Sequence, residues 1–217
     1  MLDAVEVETG PNPGAAVVWL HGLGADGHDF EPVVAELDLP RAVRFVFPHA
    51  PVRPVTINGG LRMRAWYDLL ALGREGPEDD AGIRASAREI AAFVDREETR
   101  GVPTERLVLA GFSQGGAIAL HAGIRETRPL AGVLALSTYL PLAATAAAER
   151  AAANVELAIW MAHGSEDPVI PVGLAAAGRD HLKRLGYDVS WHTYPMGHSL
   201  CAAEVGDINA WLAQRLR

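Results

Sequence analysis

The sequence predicts an α/β protein: a mostly parallel central sheet with helices on both faces. Three observations carry this. Strand-like and helix-like segments alternate along most of the chain. The strand-like segments are short, continuous apolar runs, such as residues 15–20 and 107–110, as expected of strands buried on both faces. Several of them run directly into turns rich in glycine, serine or histidine, where α/β proteins place their ligands.

Composition sets the outer bounds. The 217 residues suffice for one sizeable core, so a single domain over 1–217 is expected, with no separate cap domain. A hydrophobic content of 49% and a charged content of 21% are those of a soluble globular chain. The net charge of -8 speaks against nucleic acid as a partner. Cys201 is the one cysteine, so no internal disulfide can form, which fits a reducing compartment. Residues 1–10 carry Asp3, Glu6 and Glu8 and no basic residue, unlike a signal peptide, and no apolar run is long enough to span a bilayer. A cytoplasmic protein without stable membrane insertion is expected.

In chain order, residues 4–8 suit a short edge strand, and Pro11, Pro13 and Gly14 then break the chain. Residues 15–20 form a buried strand ending in His21-Gly22-Leu23-Gly24. A helix is expected over 29–37, stopped by Pro40, and a strand over 43–47, stopped by Pro48. Residues 48–80 lack clear periodicity, and a connection this long is usually functional. Within it, residues 63–70 suit a strand or a pocket-lining segment, and 66–72 are favoured for the pocket. Residues 73–80 are polar and suit either a mobile lid or an ordinary surface excursion. Ile83, Ala87, Ile90, Ala91 and Val94 share one face of a helix over 83–99. Further strands are expected at 107–110, 131–136, 157–162 and 189–194. Further helices are expected at 117–122, 143–153, 172–185 and 200–216. The alanine-rich 143–153 is assigned on propensity, and Val205, Ile208, Trp211 and Leu212 are the expected buried side of the last helix.

The stretch that organises these elements is Gly111-Phe112-Ser113-Gln114-Gly115-Gly116, a turn between a buried strand and a helix. G-x-S-x-G in that setting is the nucleophile elbow of an α/β-hydrolase. The glycines leave room for a tight turn, and the following helix aims N–H groups and partial positive charge at the serine. A serine nucleophile needs a base, and the base needs an acid, in the chain order Ser, Asp or Glu, His. Asp167 follows a strand end through a short turn, with Glu166 its close rival. Asp180 and Asp207 lie on helices, and Asp188 lies at the wrong edge of the sheet. His198 sits in a loop between the last strand and the last helix. His163 reads as structural, His181 as helical and His192 as a strand residue. The oxyanion donors are the backbone N–H of Gln114, next to the nucleophile, and that of Leu23 in the His-Gly loop. His21 reads as an organiser of that loop, and Cys201 as a packed side chain.

The stretches VVWLHGLGADGHDF, FPHAPVRPVTINGGLRMRAWYDLL, EDDAGI, LAGFSQGGAIAL, LALSTYLPL, HGSEDPVIP and YPMGHSLC are spread over nearly the whole chain. Together they resemble the phospholipase/carboxylesterase family of α/β-hydrolases, which includes acyl-protein thioesterases and small bacterial carboxylesterases. The resemblance implies Ser113, Asp167 and His198 as the triad, and the N–H groups of Leu23 and Gln114 as the oxyanion hole. It implies an acyl groove bordered by residues 66–76 and by Tyr139, with Trp66, Leu72 and Tyr139 against the substrate. LSTYLP departs from the LSGYLP of many relatives, which bears on pocket size. The family acts on carboxylic esters, thioesters or lysophospholipids and uses no metal or organic cofactor. Several members are homodimers, so a homodimer is an implied assembly. The expected function is a serine carboxylesterase for short- to medium-chain esters. An acyl-protein thioesterase, a lysophospholipase or a non-catalytic binding protein of the same fold are the alternatives.

Overall fold

A computed structural model of the chain describes residues 1–71 and 76–217. Its centre is a seven-stranded sheet built from β1 (Ala4–Glu8), β2 (Ala15–Leu20), β3 (Val43–Pro48), β6 (Leu107–Phe112), β7 (Gly132–Leu136), β8 (Ile159–Gly164) and β9 (Val189–Tyr194). The spatial order is β1-β3-β2-β6-β7-β8-β9, with β1 antiparallel to β3 and every other pairing parallel. A separate two-stranded sheet joins β4 (Val52–Val55) to β5 (Leu61–Arg64).

Along β2 the side chains alternate between two cores. Ala16, Val18 and Leu20 face one side, and Ala15, Val17 and Trp19 face the other. The first core packs under α1 (Asp80–Thr99), α2 (Gln114–Gly123) and α4 (Val172–Arg184), through Ile83, Ile90, Phe93, Ile118, Leu120 and Leu182. The second packs under α5 (Ala202–Arg215) through Ile208 and Leu212, with Phe30 and Val34 beside them. Burial on both faces is why the strands read as unbroken apolar runs. In register, Leu20 pairs with Gly111 and Phe112 with Leu136. The parallel strands therefore deliver their following loops to one edge of the sheet.

Three expectations are corrected. Residues 29–37 do not form an α-helix; Glu31–Glu36 wind as a 3-10 helix. Its bonds run from the N–H of Val33 to Phe30 and from that of Leu37 to Val34, Pro32 contributes no donor, and only Val34 is buried to anchor it. The expected helix over 143–153 stops early, as α3 (Ala143–Glu149). Asn154 then grips three backbone groups, donating to the carbonyls of Glu126 (2.6 Å) and Arg128 (2.8 Å) and accepting from Leu130 (3.0 Å). That anchoring overrides alanine propensity. Within 48–80, the β4–β5 hairpin appears where no periodicity was legible. It turns through Gly59 and Gly60, at φ 66° and 81°, and its short strands tolerate Pro54 because, among the described residues, no further strand pairs with either of them. Elsewhere the elements agree to within a few residues at their ends. Trp211 is half-buried rather than buried.

Candidate active site

The elbow is built as the glycine spacing requires. Ser113 holds φ 54° and ψ −121°, a backbone state rare for a residue with a side chain. Its N–H donates to the Leu136 carbonyl (2.8 Å), and its own carbonyl accepts from Thr138 Oγ1 (2.6 Å). Strand β7 and its following loop thus clamp both ends of the strained residue. A Cβ on Gly111 would overlap the backbone of Gly115, and a Cβ on Gly115 would overlap the carbonyls of Leu20 and His21. Strand, elbow and the end of β2 approach too closely for any side chain at these two positions.

His198, in the loop after β9, reaches Ser113 Oγ with Nε2 at 2.9 Å and Asp167 Oδ2 with Nδ1 at 2.7 Å. A carboxylate only accepts, so Nδ1 carries the hydrogen and Nε2 is left as acceptor for the serine hydroxyl. Asp167, in the loop after β8, is buried, and its Oδ1 accepts the N–H groups of Val169 (2.8 Å) and Ile170 (2.9 Å). Burial by itself would raise the carboxyl, but the hydrogen bond from His198 and those two N–H groups outweigh it and hold the group below its usual range. Glu166, the rival, is exposed.

The other histidines fall elsewhere. His163 is fully buried; its Nε2 donates to the Ile170 carbonyl (2.8 Å), and burial lowers its pKa. His192 stacks on Trp160 with ring centres 4.8 Å apart. His21 Nε2 accepts the Ala50 N–H (3.1 Å), which leaves Nδ1 to donate to the Gly22 carbonyl (2.7 Å). Burial holds it to about 4, so it is a neutral brace for the His-Gly loop. Cys201 is half-buried against the second core and precedes α5.

Leu23 and Gln114 both line the cleft that contains Ser113 and His198. Gln114 opens α2, so its N–H belongs to the first turn, which has no carbonyl partner inside the helix. Its side chain is fixed: Oε1 accepts the Trp66 N–H (2.8 Å) and Nε2 donates to the Tyr67 carbonyl (2.9 Å). The cleft has a volume of about 420 Å³.

The pocket expectation needs correction at one residue. Trp66 is fully buried and is not on the cleft wall. Its indole donates to the His21 carbonyl (2.9 Å), and its own carbonyl accepts from Ser86, so it braces the wall from behind. Tyr139 does line the cleft, and Leu72 lies outside the described residues. Of the 73–80 stretch, 73–75 also lie outside them, while Glu78 and Asp79 are tied down. Glu78 accepts the Leu142 N–H, and Asp79 accepts the N–H groups of Asp68 and Gly82.

Tyr67 lines the cleft within the 66–72 stretch favoured for the pocket, whereas the bond from Thr138 to the Ser113 carbonyl and the hairpin turn were missed by sequence reasoning. The Tyr67 hydroxyl lies 2.7 Å from that of Tyr139, and burial raises the pKa of both phenols. Ile57 and Asn58, from the turn of the β4–β5 hairpin, form part of the cleft wall with Leu69, Val169 and Ile170. The pair Gly59-Gly60 was the available signal for that turn.

A profile of the phospholipase/carboxylesterase family matches residues 3–216. An acyl-protein thioesterase 1 from Neurospora crassa is 40% identical over 213 residues, covering 93% of this chain and 87% of its own. One from Mycosarcoma maydis is 40% identical over 225 residues, covering 96% and 94%. Among solved structures, acyl-protein thioesterase 2 from Zea mays superposes with a TM-score of 0.90 at 28% identity, covering 100% of both chains. SOBER1 from Arabidopsis thaliana gives 0.89 at 28%, covering 94% of this chain and 99% of its own.

Proposed function

The chain belongs to the phospholipase/carboxylesterase family and is a serine hydrolase of the α/β-hydrolase fold, and from that premise we propose that it is a carboxylesterase for short- to medium-chain esters. Ser113, His198 and Asp167 are its triad. The observation that carries the reading is the unbroken hydrogen-bond chain from Ser113 through His198 to Asp167.

The chemistry follows from that chain. Ser113 Oγ attacks the ester carbonyl carbon while its proton passes to His198 Nε2. Asp167 fixes the imidazole and stabilises the imidazolium. The carbonyl oxygen becomes an oxyanion, received by the N–H groups of Leu23 and Gln114. Collapse breaks the bond to the leaving alcohol, which takes the proton from His198. Water then loses a proton to His198, attacks the acyl-enzyme and releases the acid, and the proton returns to Ser113. The wall formed by Ile57, Tyr67, Leu69, Tyr139, Val169 and Ile170 takes the acyl chain, and about 420 Å³ suits a short to medium one.

A second reading is an acyl-protein thioesterase, favoured by relatives of that name at 40% identity. The steps are the same with a thiolate leaving. The test is kcat/KM over matched oxygen esters and thioesters from acetyl to palmitoyl. Oxygen-ester turnover with a maximum at short to medium chains supports the carboxylesterase. Turnover confined to long-chain thioesters overturns it for the second reading.

A further inference from the structure

The loop that carries Asp167 is short and fastened at both ends. It leaves β8 at Gly164 and runs to Ile170. Its first half is tied to the segment that carries His198. The N–H of Ser165 donates to the Tyr194 carbonyl (2.8 Å), and that of Glu166 to the Met196 carbonyl (3.1 Å). A Cβ on Gly164 would overlap the carbonyls of Met196 and Gly197, so the two loops touch backbone to backbone. The far end is held differently, by the bond from His163 Nε2 to the Ile170 carbonyl (2.8 Å).

That one bond bears on both carboxylate oxygens. Ile170 is gripped at two points: its carbonyl accepts from His163, and its N–H donates to Asp167 Oδ1 (2.9 Å). His163 Nε2 also stands 3.4 Å from Asp167 Oδ2, the oxygen that accepts from His198 Nδ1. The His163 ring is fully buried and stacks beside Trp191, with ring centres 6.3 Å apart. A carbonyl only accepts, so Nε2 carries the hydrogen. Nδ1 is buried with no hydrogen-bond partner among the described residues, so a second proton there would make an unpaired buried donor. The imidazole is therefore neutral. A neutral donor can orient Asp167 without cancelling the negative charge that the His198 imidazolium needs.

We propose that His163 is a positioning residue of the hydrolase: by pinning Ile170 it fixes the Asp167 carboxylate against His198 Nδ1. The inference rests on the triad reading above. His163 touches neither Ser113 nor substrate and acts only through Asp167.

The test is kcat and the pH profile of kcat/KM for His163→Phe and His163→Gln, on an ester that the wild-type protein turns over. Phenylalanine keeps a ring and removes the donor, whereas the glutamine amide nitrogen reaches the place of Nε2. His163→Phe is expected to lower kcat about ten- to a hundredfold, as for a catalytic group displaced by up to about an ångström. The acid limb of kcat/KM should move to lower pH by about half a unit or more, because a loosened carboxylate stabilises the imidazolium less. His163→Gln should restore most of both. In an Asp167→Asn background, adding His163→Phe should cost less than about a further twofold, since the carboxylate through which His163 acts is gone. A folded His163→Phe protein with wild-type kcat and pH profile, whatever its melting temperature, overturns the inference and leaves the triad. So does an equal loss in the wild-type and Asp167→Asn backgrounds, or a His163→Gln protein as impaired as His163→Phe. If His163→Phe does not fold, His163→Asn, whose amide is too short to reach the Ile170 carbonyl, is judged by the same results. An Asp167→Asn protein with near-wild-type kcat overturns the triad reading, and the inference with it.

Discussion

Gln114 is held from outside its own helix: its Oε1 accepts the backbone N–H of Trp66 at 2.8 Å. The other end of the same amide donates to the Tyr67 carbonyl. One side chain thus fixes the residue that carries a proposed oxyanion donor and anchors the segment that lines the cleft. Gln114→Ala leaves a buried N–H and a buried carbonyl unpaired, at about 1–3 kcal/mol each. The expected result is a lower denaturation midpoint together with a fall in kcat of at least about tenfold, from a misplaced donor. Equilibrium denaturation and steady-state kinetics on the same preparation check both.

The elbow glycines and a helix glycine should respond in opposite directions to the same substitution. Gly115→Ala drives a Cβ into the carbonyls of Leu20 and His21, so β2 or the elbow must move. A loss of stability of more than about 2 kcal/mol, with inactivity, is expected. Gly206 lies within α5, and a Cβ there meets nothing within 4 Å. Gly206→Ala should gain up to about 1 kcal/mol with activity unchanged. Chemical denaturation of the two variants beside the wild type is the comparison.

The paired phenols of Tyr67 and Tyr139 should be non-additive. Tyr67 is buried, so Tyr139→Phe leaves its hydroxyl without that partner, costing about 1–3 kcal/mol. Replacing both tyrosines by phenylalanine removes both polar groups, and the double variant should cost less than the sum of the single ones. A double-mutant cycle in denaturation free energy measures the coupling. Additive losses would mean that the hydroxyls do not bond.

Stability should peak near pH 6.5, between two opposing slopes. Burial holds His21 and His121 to about 4, below the ordinary 6.5. The unfolded chain therefore binds more protons than the folded one between those values, and stability falls as pH drops through that window. Glu204 runs the other way. Burial pushes its carboxyl from 4.5 up to about 8, so the folded state holds the extra proton and stability falls as pH rises through that range. From pH 6.5 to 8 the Glu204 loss is on the order of 2 kcal/mol. Glu204→Gln should abolish it. Melting curves at both pH values test this; a variant that falls in parallel with the wild type would contradict it.

Much of this was legible in the sequence because burial writes itself into composition. Strands β2, β6 and β7 lie between two cores, so every position along them had to be apolar. Ser113, Asp167 and His198 could be singled out as the proposed triad because each sits just beyond a strand end, in a fixed chain order, and the structure brings the three within hydrogen-bond reach. What escaped was written in contacts rather than pattern. Trp66 looks like a wall residue in sequence, but its indole finds the His21 carbonyl and turns the ring inward. The hairpin after β3 escaped because its strands are short, one contains Pro54, and its pairing depends on two adjacent glycines. Thr138 gave no sign of its bond to Ser113, since nothing local requires it.

The central claim is that Ser113 Oγ forms the acyl-enzyme with His198 as its base. The most direct measurement is kcat of purified Ser113→Ala on an ester that the wild-type protein turns over, with the fold of the variant verified by its melting curve. The account predicts a loss on the order of a millionfold, with melting unchanged to within a few degrees. A stably folded Ser113→Ala protein that retains more than about one hundredth of wild-type kcat would contradict it, because a positioned base and oxyanion donors alone cannot supply that rate.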